Sequence, residues 1–71
     1  MGLDSPRLCL ELEQRIQMRT GRRVRNLAIE LDRECIVLHG LTNTYYVKQL
    51  AQHEVHAALP NVRLENAIEV A

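Results

Sequence analysis

The 71 residues predict an α+β domain of order αββαβ, with two helices packed on one face of a three-stranded sheet. Three observations carry that expectation. Apolar residues recur at helical spacing in the first quarter of the chain and again after Thr44. They alternate with polar residues around Leu27–Leu31 and Val62–Val70, the period of a half-buried strand. Between these lies Cys35-Ile36-Val37-Leu38-His39-Gly40-Leu41, the most apolar strand candidate, with a glycine near its end and a helix starting soon after.

Helix 1 is expected over residues 6–20. Asp4 or Ser5 can cap it, and Pro6 suits the first helical position, where its missing N–H would be unpaired anyway. Leu8, Cys9, Leu12 and Ile16 share one side, and Glu11, Glu13, Gln14 and Arg15 cover most of the rest. Leu10 and Met18 fall off that stripe, exposed or touching a partner. Gly21 stands where a helix-ending glycine belongs. From Val24 to Asp32, Leu27, Ile29 and Leu31 alternate with Ala28, Glu30 and Asp32. The turn Asp32-Arg33-Glu34 has no glycine and so does not signal a tight primed hairpin.

In the strand 35–41, Ile36, Leu38 and Gly40 share one face, and Cys35, Val37 and His39 the other. Thr42, Asn43 and Thr44 are candidate caps for a helix from Tyr45 to Leu59. Its apolar face is Tyr46, Val47, Leu50, Ala51, Val55, Ala57 and Ala58, with Glu54 placed oddly near the middle. Tyr46 is expected to pack and Tyr45 to point outward. Pro60-Asn61 ends the helix, because proline cannot continue it and asparagine tolerates a left-handed turn. Val62, Leu64, Asn66, Ile68 and Val70 alternate with Arg63, Glu65, Ala67 and Glu69 as a last strand. One domain spans residues 1–71, with its ordered core over about 6–70.

A chain this short buries roughly 60% of its unfolded surface, so the core is small. With Tyr45 and Tyr46 the only aromatic residues, that core is built from Leu, Ile, Val and Ala. Nine basic and nine acidic residues cancel, so no global field draws the chain to nucleic acid or an anionic bilayer, although a local patch still can. Cys9 and Cys35 are expected to be free thiols in the role of small buried hydrophobes. The first residues lack the basic-then-apolar pattern of a signal peptide, and Pro6 replaces the Ser or Thr of a myristoylation signal. The chain as written is expected to be soluble and cytoplasmic, or in the envelope or periplasm if it belongs to a longer precursor.

Ile36-Val37-Leu38-His39-Gly40-Leu41 resembles the V-x-L-x-G-x-V signature of BON domains, small modules of bacterial envelope and stress proteins. The resemblance runs over about residues 7–71. Ala51 lies where that family places alanine on its second helix, and Pro60-Asn61-Val62 is similar to its P-G-V turn. Val62 to Val70 resembles its closing V-x-x-V-x-N-x-L-x-V, with Asn66 at the asparagine. Asn61 stands in place of the turn glycine, and Arg33-Glu34 in place of a glycine-containing pair. The resemblance implies an αββαβ fold, an envelope location and non-catalytic binding, with phospholipid surfaces as the suggested partner. It carries over no individual binding residue.

Among candidate sites, Arg19, Arg22, Arg23 and Arg25 form the one charge cluster. They can contact the phosphates of lipid headgroups or of nucleic acid, or they complement the C-terminal end of helix 1 and keep a loop soluble. Gly40 and Asn61 are structural candidates, at a strand–helix junction and a turn. His53 and His56, three apart, do not meet the ligand number or the i, i+4 spacing of a zinc site, and His39 is expected to point away from the core. No metal or other cofactor is therefore expected. Glu54 is expected to pair with an arginine or lie at the sheet margin. No thiol has a histidine predictably near it, so no enzyme is indicated.

The leading function is thus a BON-like module binding phospholipid or a partner protein. The alternative is a self-assembling domain that pairs through its sheet. A KH-like nucleic-acid module is disfavoured, because Gly21-Arg22-Arg23-Val24 is not a G-x-x-G loop and base-stacking aromatics are scarce.

Overall fold

The computed structural model describes residues 5–71. The expected cap Asp4 and the terminal signals at Met1–Asp4 lie outside the described residues, whereas Ser5, the other expected cap, is the first residue of α1. The elements are α1 (Ser5–Thr20), β1 (Arg25–Asp32), β2 (Cys35–Thr42), α2 (Tyr45–Ala58) and β3 (Arg63–Val70). The chain has the αββαβ fold with a mixed sheet. Central β2 runs antiparallel to β1 and parallel to β3.

Alternation along β2 decides which face is covered. Ile36 and Leu38 are fully buried beneath the helices, whereas Cys35 and Val37 are half-buried and His39 is exposed. Leu12 and Ile16, one helical turn apart on α1, meet Val47, Ala51 and Val55 on α2, and Ile68 completes the core from β3. Each fully buried Leu, Ile or Val side chain of this core contributes about 1.5–3 kcal/mol. Glu54 has the expected arginine partner: Arg15 Nη2 lies 3.4 Å from Glu54 Oε1, linking the two helices. Arg15 is half exposed, so the pair contributes under about 1 kcal/mol.

Asn66 ties β3 to α2. Its amide Nδ2 donates to the Lys48 carbonyl at 2.9 Å and to Gln52 Oε1 at 3.3 Å, while its Oδ1 accepts from the Ile68 N–H at 3.2 Å. The two thiols are free and lie on opposite sides of the sheet. Cys9 Sγ reaches the Ile29 carbonyl from the helix side at 3.5 Å, and Cys35 lies on the uncovered face.

Several expectations need correction. β1 is not a regular strand from Val24: Val24 precedes it, buried, and the register slips between Arg25 and Ala28. Asn26 takes a left-handed φ of 55° there, so β1 carries a bulge opposite Gly40. The hairpin is tight after all, with Asp32 paired to Cys35 and only Arg33 and Glu34 between them. Arg33 supplies the positive φ, 57°, in place of a glycine. Asn61 has no such φ. The Pro60-Asn61 turn closes through the Val62 N–H donating to the Leu59 carbonyl at 3.4 Å, a geometry that needs no left-handed residue. Tyr46 does not pack. It is 65% exposed, because α2 turns Val47, Ala51 and Val55 inward and leaves the first-turn tyrosines and Ala57 outside.

Candidate anion-binding site

Between Gln14 and Ile29 the chain has five arginines and no acid. The end of α1 determines where they go. Gly21 and Arg22 adopt φ of 67° and 60°. The Arg22 N–H donates to the Gln17 carbonyl at 2.7 Å and the Gly21 N–H to the Met18 carbonyl at 3.4 Å. These paired bonds close the helix as a Schellman motif and turn the chain back toward the sheet. Gln17 Nε2 then holds the Val24 carbonyl at 3.0 Å. Val24 is buried against Gly40, and Arg25 starts β1 opposite Leu41.

That pairing brings the arginine loop to the junction of β2 and α2. Arg22, Arg23 and Arg25 line an open groove of about 530 Å3 together with Thr42, Asn43, Thr44 and Val47. Arg25 Nη2 donates to Asn43 Oδ1 at 3.4 Å. Thr44 is the N-cap of α2, its hydroxyl oxygen accepting from the Val47 N–H at 3.2 Å. No acidic residue lies in the first turn of α2, so its positive helix end is unopposed. None of the three arginines forms an ion pair among the described residues, where the pairs are Arg7–Glu11, Arg15–Glu54 and His39–Glu30.

The groove therefore offers guanidinium donors, hydroxyls and a helix N-terminus, a set suited to an anion with several acceptor oxygens. No carboxylate, imidazole or thiol lines it. Tyr45 and Tyr46, 61% and 65% exposed, follow directly on the cap.

Arg19 does not join this set. It lies on the last turn of α1 and borders a separate hollow with Arg15, Met18 and Glu54. Thr42, Asn43 and Thr44 are the lining residues that sequence reasoning read only as caps. Their link to the arginines rests on the Arg25–Leu41 register, which a bulge sets. His39 Nε2 lies 3.0 Å from Glu30 Oε1 on the uncovered face, and His53 and His56 are exposed. No group of three or more His, Cys, Asp or Glu converges among the described residues. Burial, and then the nearby Glu13 carboxylate, push the Cys9 thiol above its ordinary range. No described helix is long and apolar enough to cross a membrane.

Compared with protein-family models, with curated proteins and with solved structures, the chain matches none.

Proposed function

We propose that this domain is a non-catalytic, BON-like binding module that docks on anionic phospholipid surfaces through the Arg22–Arg23–Arg25 groove. The observation that carries the proposal is the meeting of three arginines without ion-pair partners and the capped N-terminus of α2 in one open concavity. A lipid phosphate presents several acceptor oxygens to such donors. The two exposed tyrosines beside the groove suit the headgroup region, where amphipathic rings collect. Each cation near an anionic bilayer contributes about 1 kcal/mol, so three contribute about a hundredfold in affinity.

Flotation with liposomes of mixed phosphatidylglycerol and phosphatidylcholine tests this. Binding is expected at low salt, falling as salt rises. Equal recovery on purely zwitterionic liposomes would refute it.

A further inference from the structure

The groove at the start of α2 carries more positive charge than one phosphodiester neutralises. Arg22, Arg23 and Arg25 line it and no carboxylate does. A phosphodiester, the group inside most phospholipid headgroups, bears one negative charge and two free oxygens. A phosphomonoester bears up to two charges and three strongly accepting oxygens. Three guanidiniums can each take one of those oxygens, a match that only the monoester completes.

The rest of the lining adds donors. Thr44 Oγ1 already accepts from the Val47 N–H, so its own O–H is free to donate. α2 begins at Tyr45, and the first N–H groups of a helix have no partner within it. The one side-chain amide oxygen of the lining, Asn43 Oδ1, is engaged by Arg25 Nη2 at 3.4 Å, which holds that guanidinium close to the cap. Shape agrees with charge. An open groove of about 530 Å3 admits the end of a headgroup, and a monoester phosphate is always an end. A diester phosphate is flanked by substituents on both sides and offers its two oxygens sideways.

We propose, on the reading of the groove as a lipid-docking site, that it selects a phosphomonoester over a phosphodiester, and so phosphatidic acid over phosphatidylglycerol. A soluble ester such as glycerol 3-phosphate carries the same recognised group. The exposed Tyr45 and Tyr46 suit the lipid-borne form, because they seat the groove at headgroup level.

Flotation tests the selectivity, on vesicles of phosphatidic acid or phosphatidylglycerol in phosphatidylcholine, matched for surface potential. Matching removes the general attraction of a basic patch for an anionic surface. The wild type is expected to bind the phosphatidic acid vesicles roughly tenfold or more tightly, the effect of about one further charge-assisted hydrogen bond. Arg22→Lys/Arg23→Lys/Arg25→Lys keeps three cations but loses the planar forks. It should bind phosphatidylglycerol within a few-fold of the wild type and lose most of the preference. All three arginines are exposed, so this variant is expected to melt like the wild type.

Equal affinity for the two vesicles would overturn the selectivity and leave the lipid reading standing. A lysine variant with the full preference would overturn it too. Titration with glycerol 3-phosphate separates the sources. Binding much weaker than to the vesicles assigns the lipid-borne ester. Binding without any flotation, abolished in Arg22→Gln/Arg23→Gln/Arg25→Gln, keeps the phosphomonoester site and rejects the lipid reading. Neither flotation nor binding of glycerol 3-phosphate would remove both.

Discussion

Val24 occupies the space that a side chain on Gly40 would need. A Cβ on Gly40 would come within 2.7 Å of Val24 Cγ1 and 3.2 Å of the Arg25 carbonyl oxygen. The contact lies between β2 and the bulged start of β1, so it also sets how the arginine loop meets the sheet. Val24 is buried and β-branched and cannot rotate away freely. Gly40→Ala should therefore destabilise the domain by about 1–3 kcal/mol. Combining it with Val24→Ala should cost less than the sum of the two single changes, measured by chemical denaturation. A Gly40→Ala variant melting like the wild type would contradict the packing described.

Arg33 stores a smaller strain at the hairpin. A left-handed φ costs a non-glycine residue about 1–2 kcal/mol, and glycine returns part of that gain through its freer unfolded chain. Arg33→Gly should raise stability by up to about 1 kcal/mol. A loss on denaturation would mean that the Arg33 side chain contributes more than its backbone costs.

How far these features can be read in the sequence depends on whether they are local. Ile36 and Leu38 announced the buried face of β2 because a strand's side-chain period is fixed by its backbone. Gly21 and Thr44 were legible for the same reason, since caps depend on the residues next to them. Tyr46 was misplaced because it falls at the edge of the apolar arc of α2, and only the packing of Val47 against the sheet shows which way the first turn faces. Arg33 and Asn26 take conformations that their residue types do not advertise. The groove is a meeting of Arg22–Arg25 with Thr42–Thr44, set by a bulge and a register. Sequence spacing alone could collect the arginines, including Arg19, but not separate Arg19 from the rest.

Cys9 gives a pH signature. Burial, and then Glu13, disfavour its thiolate, so the folded chain keeps this proton to higher pH than the unfolded chain. A group whose folded pKa is raised stabilises fully below its unfolded pKa and loses that contribution as pH rises. Stability should therefore fall more steeply over about pH 8–10 for the wild type than for Cys9→Ala, followed by urea denaturation. In a Cys35→Ser background, iodoacetamide should alkylate Cys9 more slowly in the folded than in the unfolded chain. Equal rates would show that the thiol is not shielded.

Lipid binding by the Arg22, Arg23 and Arg25 groove is tested most directly by flotation of two charge variants on phosphatidylglycerol-containing liposomes at low salt. Arg22→Gln/Arg23→Gln/Arg25→Gln removes the groove cations, whereas Arg19→Gln removes one arginine of the same sequence cluster that lies outside the groove. The triple variant should lose roughly a hundredfold in affinity while keeping the wild-type melt, and Arg19→Gln should lose far less. A triple variant that floats like the wild type, or an Arg19 change equal in effect to the triple, would contradict the assignment of the groove.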